Sequence, residues 1–273
     1  MAKFRLACHL IQFAGEDREN PEKVFREVAE AGWAAIEGQV VRNADEMVEL
    51  ATKARSFGLH IVNLLGARDA GVDKAAIDTI KFNITLGNDA AEIPTRQRKD
   101  FGGPSPSDAD FQRAARSMDQ ALAFAKRHAM KGFHHAHLGT MIETVEDAEC
   151  LLTAAPDLWL LLDTGHFLAC GSDPMRVFES DILRNRIGHV HLKDCHADDP
   201  ATWDHRTQGF GERARFAELG QGNLGFDVRV FLEALEQAGY DGWVSVELDR
   251  PYPPRPAAEA ARVNREYLHR LGC

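Results

Sequence analysis

The stretch LWLLLDTGH, Leu158 to His166, decides the fold. An apolar run that ends in a carboxylate, a Thr-Gly turn and an imidazole reads as a strand buried on both faces, delivering polar groups at its carboxyl end. In a parallel α/β barrel that end is where the chemistry collects. Outward from it, short apolar segments alternate with amphipathic ones: FRLACHLI (4–11), WAAIEG (33–38), LHIVNLL (59–65), KFNITLG (81–87), FHHAHLG (133–139), LWLLLD (158–163), IGHVHLKD (187–194) and GWVSVEL (242–248). Between them lie helices opened by Asn20-Pro21, capped by Asn43 and running to Gly58, spanning 72–79, started by Ser107 with Asp110 and ending near Lys131, capped by Thr144, opened by Asp173-Pro174, running Phe226 to Ala238, and following Pro256. Eight strands alternating with eight helices predict an α/β fold, a single (β/α)8 TIM barrel over residues 1–273, and no linker-like shift in composition divides it.

Composition bounds the function. Hydrophobic residues at 44% and charged ones at 27% are ordinary for a soluble protein, and no apolar run is long enough to span a bilayer. MAKFRLACHLIQF is broken by Cys8, His9 and Gln12, so it reads as a first strand rather than a signal peptide. Five cysteines, scattered and never in a CxxC pair, imply reduced thiols and a cytoplasmic location. A formal net charge of −10 opposes attraction to a phosphate backbone, so nucleic acid is not an expected partner.

Strand alternation puts every second side chain on one face. His189, His191 and Lys193 therefore share a face, as do Ser245, Glu247 and Asp249, and as do His135 and His137. Buried charges need partners or a metal, so Asp163, His191 and Glu247, on neighbouring strands, are candidate ligands for one divalent ion. Mixed oxygen and nitrogen donors suit manganese, cobalt, zinc or magnesium. A fourth ligand from the fifth strand or its loop is either Glu143, which also reads as a solvated residue before the Thr144 cap, or His135 or His137. A lone barrel histidine such as His189 reads as a hydrogen-bonded core residue. Two long segments flank the site: 88–107, a predicted loop with Arg96, Arg98 and Lys99, and 195–225, which carries Trp203, His205 and Phe210 and reads as a cover for the site, a subunit contact or a surface loop. No stretch fixes an interface, which leaves a homo-oligomer open. GQGNLG lacks the spacing of a nucleotide-binding loop.

The blocks LLLDTGHFLACGSDP, IGHVHLKD, FAELGQGNLGF, GYDGWVSVELDRP and NREYLHRLG resemble the xylose-isomerase-like sugar isomerase/epimerase superfamily, and HHAHLGTMIET is similar to the HxHxGTxxxT segment of inosose dehydratases. The resemblance implies a TIM barrel with one divalent metal, manganese first among the ions named. It also implies Asp163, His191 and Glu247 as ligands, Glu143 as a further ligand by inference, and His166 as a substrate contact. The family's epimerases place a glutamate at the end of the fifth strand, where this chain has Phe133, His134 and His135. That departure argues against epimerisation, which uses paired carboxylates.

The expected activity is a metal-dependent dehydratase (lyase) on a keto-cyclitol or keto-sugar, through an enediolate that the metal stabilises. A ketose 3-epimerase or isomerase using the same metal site is the alternative. Glu247, Glu143, His137 and Lys193 are candidates for the acid and base. His166, Glu37 and His135 are candidate substrate contacts, although Glu37 also reads as paired with a nearby base. The expected partner is a small carbohydrate or cyclitol. An abasic-site endonuclease would need a multi-metal cluster and a basic groove, which the charge opposes, and a barrel that has lost its chemistry and only binds a ligand is the last alternative.

Overall fold

The computed structural model describes residues 4–95 and 99–273, so Arg96 and Arg98 lie outside the described residues. Eight short parallel strands form one curled sheet: β1 Arg5–His9, β2 Ala35–Glu37, β3 His60–Ile61, β4 Ala90–Glu92, β5 Lys131–His135, β6 Trp159–Asp163, β7 Ile187–Leu192 and β8 Trp243–Val246. Their hydrogen-bonded order is β3-β2-β1-β8-β7-β6-β5-β4. A helix follows each strand: α1 Pro21–Glu30, α2 Ala44–Ser56, α3 Val72–Leu86, α4 Asp108–Arg127, α5 Val145–Ala154, α6 Thr164–Ala169, α7 Val228–Gln237 and α8 Ala257–Arg270. This is the (β/α)8 barrel that the alternation predicts. No helix among the described residues is long and apolar enough to cross a membrane.

The helix starts follow the capping chemistry in the sequence. Asn43 accepts a hydrogen bond from the Glu46 N–H, while Ser107 with Asp110 and Thr144 with Asp147 form reciprocal capping boxes. Val24, Phe25 and Val28 of α1 and Phe231, Leu232 and Leu235 of α7 are buried in the layer between helices and sheet. Each such large side chain contributes roughly 1.5–3 kcal/mol on leaving water.

Three expectations need correction. KFNITLG is not the fourth strand: residues 81–86 are the last turns of α3, which presents Ala76, Thr79, Ile80 and Asn83 at helical spacing to the interior and ends on Gly87 in the left-handed region (φ 80°). Asn83 clamps the chain beyond β3 from that helix, accepting from the Leu64 N–H at 3.1 Å and donating to the Leu64 carbonyl at 2.9 Å. The fourth strand is Ala90–Glu92, inside the stretch expected to be a loop. The helix after β6 starts at Thr164 rather than at Pro174, whose segment Pro174–Glu179 is a 3-10 turn.

The barrel interior is layered. Ala7, Ala35 and Val62 fill the amino-terminal end beside Trp243. Phe133 stacks on the His189 ring above them, at 5.2 Å between centroids and 12° between planes. Register carries the alternation to the rim, where His9 lies opposite Glu37 and Asp163 opposite His191. One seam differs from the rest: among the described residues no backbone ladder joins β3 to β4. Side chains bridge the gap instead. Asn63, in the left-handed region at φ 45°, accepts from the Glu92 N–H at 3.1 Å, and Asn88 donates to the Ile61 carbonyl at 3.0 Å and accepts from His60 Nε2 at 2.7 Å.

Candidate metal centre

Four consecutive strands each bring one side chain to the carboxyl-end rim: His135 from β5, Asp163 from β6, His191 from β7, and Glu247 one residue beyond β8. One donor atom from each lies within 4.8 Å of the other three. Asp163 serves two elements. Its Oδ1 accepts from the His166 N–H at 2.8 Å and caps α6, while Oδ2 lies 3.2 Å from His135 Nε2, 3.5 Å from His191 Nδ1 and 3.6 Å from Lys193 Nζ. Glu247 Oε2 is 2.5 Å from His191 Nδ1 and its Oε1 is 2.8 Å from Lys193 Nζ.

Electrostatics keep Asp163, Glu247 and His135 in ligand form, whereas His191 holds a proton that an ion would displace. Burial opposes the charge on Asp163, but the Lys193 ammonium and the surrounding imidazoles outweigh it and hold the carboxyl well below the usual range. Glu247 is held down in the same way by Lys193, His9 and His191. Burial pushes His135 down to about 3, with Asp163 opposing, so its nitrogen lone pair is free at neutral pH. For His191 burial also disfavours the charged ring, yet Glu37 and Glu247 prevail and hold it well above its ordinary value.

These residues fit a divalent cation. His191 Nδ1 and Glu247 Oε2 are both buried and neither makes an aligned hydrogen bond, although they face each other at 2.5 Å. Close approach without hydrogen-bond alignment is how donor atoms gather around a cation. Charge points the same way: once His191 gives up its proton to act as a ligand, the three buried carboxylates Glu37, Asp163 and Glu247 against the one buried ammonium of Lys193 leave two negative charges.

The remaining expected site residues fall in distinct places. Glu143 stands apart from the four donors: it accepts from the Gly139 N–H at 2.7 Å and pairs with Lys99 at 2.8 Å. Glu37 lies within the barrel, in contact with His189, His191 and Asn63. His137 sits beyond β5 with its ring 3.8 Å from that of His166; its Nδ1 donates to the Leu138 carbonyl, which leaves Nε2 as an acceptor. His166 Nε2 accepts from Lys193 at 3.2 Å. Fully buried, Lys193 also reaches Asp249 at 3.1 Å, whose side chain is 43% exposed and so connects the ammonium to solvent.

Sequence reasoning missed two neighbours. His9 projects from the end of β1 with its ring 5.4 Å from His191, and its parity with the inward Ala7 was the available signal. Phe216 belongs to an antiparallel ladder of Asp194–Ala197 with Ala214–Ala217, inside the long segment after β7. Its ring packs edge-on to His166 at 4.8 Å and lies 4.2 Å from Lys193 Nζ, so this excursion walls one side of the site.

Gly165, in the turn of LWLLLDTGH, is required by close approach. A Cβ there would lie 2.4 Å from Lys193 Cβ and 3.1 Å from the Phe216 ring. Gly165→Ala should therefore cost about 1–3 kcal/mol through overpacking. Calorimetry would read this as a melting temperature lower by roughly 2–4 °C per kcal/mol; an unchanged melting temperature would refute the packing argument.

Together these features define a class: a TIM barrel with a candidate mononuclear metal centre at the carboxyl ends of its strands. The chain belongs to the xylose isomerase-like TIM barrel family, whose model matches residues 25–270. It is 31% identical over 170 residues to the inosose dehydratase of Lacticaseibacillus casei, an alignment covering 60% of this chain and 56% of that protein, so the chain spans about half the length of the curated relatives it matches. Among solved structures it resembles an IOLI protein with a binding zinc atom (TM-score 0.69, 19% identity, 98% of each chain). It also resembles the probable 3-DHS dehydratase AsbF of Bacillus anthracis (TM-score 0.69, 16% identity, 97% of this chain and 99% of that one). At these identities the structural likeness is one of fold.

Proposed function

We propose that the protein is a divalent-metal-dependent dehydratase acting on a keto-cyclitol or keto-sugar. The observation that carries the reading is the four-donor cluster of His135, Asp163, His191 and Glu247 with an acceptor imidazole, His137, and a buried ammonium, Lys193, beside it. Similarity to inosose dehydratases and to the zinc-bound IOLI protein supports it. In this reading His135, rather than Glu143, is the fourth ligand. Two imidazoles and two carboxylates favour manganese, cobalt or zinc over magnesium, which prefers oxygen donors.

A divalent ion there would polarise a substrate carbonyl and lower the cost of removing the neighbouring proton. The chain's own residues supply the rest. His137 Nε2 takes the proton from the carbon beside the carbonyl, and the electrons of that C–H bond form the new C=C bond. The hydroxyl on the next carbon leaves as water with a proton from Lys193 Nζ. Lys193 regains its proton from water at the Asp249 side, where that side chain is 43% exposed, and His137 gives its proton up to water, so both groups return to their starting forms. His166 and Phe216 fix the ammonium from two sides.

Dehydration of an inosose yields a conjugated dione that absorbs in the ultraviolet. The metal-loaded protein should generate that absorbance with a keto-cyclitol, lose the activity in excess chelator, and regain it with manganese, cobalt or zinc. Interconversion of epimers with no new absorbance would replace the dehydratase by an epimerase.

A further inference from the structure

Beneath the four donors lies a second polar layer that takes no direct part in the proposed chemistry. Glu37, at the end of β2, is 1% exposed. Its Oε1 accepts from His191 Nε2 at 3.0 Å and from Asn63 Nδ2 at 2.8 Å, and its Oε2 accepts from His189 Nε2 at 2.8 Å. Three donors thus fix one carboxylate, which in turn presents oxygens to two imidazoles. His189 is held from its other side by stacking on Phe133. Asn63 is locked because its own Oδ1 is occupied by the Glu92 N–H across the β3–β4 seam.

From this arrangement we infer that Glu37 is a positioning residue: it pins the His191 ring with the proton on Nε2, so that the Nδ1 lone pair faces Asp163, Glu247 and the metal. The inference rests on the reading of the metal centre above and removes Glu37 from the candidate substrate contacts. A histidine ligand whose far nitrogen is tied to a carboxylate has its ring orientation set before the ion arrives, and the proton it gives up on binding is the one on the nitrogen that faces the ion. Without that tie, the His191 proton can move to Nδ1, where it blocks the ligand position. The donors His9, Glu37 and His191 also approach one another within 4.8 Å, which raises the alternative of a second cation in this layer. Charge argues against it. One divalent ion already balances the two excess negative charges, and both Glu37 oxygens are taken by N–H donors.

The test compares wild type, Glu37→Ala and Glu37→Gln. The glutamine keeps an oxygen for His191 and Asn63, whereas alanine keeps none. Expected for Glu37→Ala is a metal affinity lower by roughly 10–100-fold, measured by competition with a chromogenic chelator. Substrate KM at saturating metal should stay within about 2-fold of wild type, since uniform substrate binding is untouched. Glu37→Gln should recover most of the affinity. In ¹⁵N-histidine spectra the zinc-loaded wild type should show His191 protonated on Nε2 alone, and Glu37→Ala should weaken that signature. Unchanged metal affinity with a raised KM would make Glu37 a substrate contact and overturn the inference. Two metals per wild-type chain, falling to one in Glu37→Ala, would make it a ligand and overturn it as well. Failure of the metal reading is a separate result, visible as wild type that binds no divalent ion while the metal-free spectra still report the Glu37 bond to His191.

Discussion

Asp163→Ala should purify with almost no divalent metal and lose at least ~10³-fold in kcat/KM, which corresponds to about 4 kcal/mol of transition-state stabilisation. Asp163 Oδ2 is the oxygen on which His135, His191 and Lys193 converge, so no neighbour can replace it. Part of any stability loss in the alanine variant belongs to the α6 cap, worth about 1 kcal/mol. Asp163→Asn separates the two roles. The amide oxygen still accepts from the His166 N–H, while the amide nitrogen takes the place of the oxygen that faces the cluster. Metal analysis of both variants beside wild type settles the matter: equal metal in all three would remove Asp163 from the centre and the centre from the proposal.

Lys193→Met should destabilise the metal-free protein by about 3–5 kcal/mol, the usual cost of leaving one half of a buried ion pair uncompensated. For a chain of this size that is a melting temperature lower by roughly 10 °C. Lys193 is fully buried. Burial opposes its charge, but Asp163, Glu247 and Asp249 together outweigh that and raise its pKa above the ordinary lysine value. With the ammonium gone, Asp163 and Glu247 face each other across a low-dielectric site. A divalent ion restores the missing positive charge, so the same substitution should cost much less in the metal-loaded protein. Denaturant unfolding with and without metal measures the difference, and an equal loss in both states would mean that Lys193 stabilises through packing on Phe216 alone.

The second half of the barrel was legible because its strands carry the strongest local signals. LWLLLD is apolar on both faces, and GHVHLK and VSVEL alternate with period two, which by itself directs Asp163, His191 and Glu247 toward one centre. The fourth strand was not legible. Its three residues are too few to show a period, and the β-branched Ile84 and Thr85 of the preceding helix imitated a strand more convincingly. Which of Glu143 and His135 stands beside the other three donors was also beyond local pattern, since it turns on where β5 ends and on Lys99, far back in sequence, drawing the Glu143 carboxylate to itself. Contacts of Glu37 and His9 with His191 are made across the closed ring, and ring closure leaves no mark in a local window.

Most of the ring is joined through the peptide backbone, whose hydrogen bonds are indifferent to which side chain a codon supplies. Between β3 and β4 closure rests on Asn63 and Asn88, two amides that no other residue type reproduces in both donor and acceptor capacity at that length. Replacing either amide therefore removes cross-strand bonds that the backbone does not duplicate, each worth roughly 0.5–1.5 kcal/mol. Because Asn63 also holds Glu37, inherited variation at this junction would reach the candidate metal centre without touching any of its four donors.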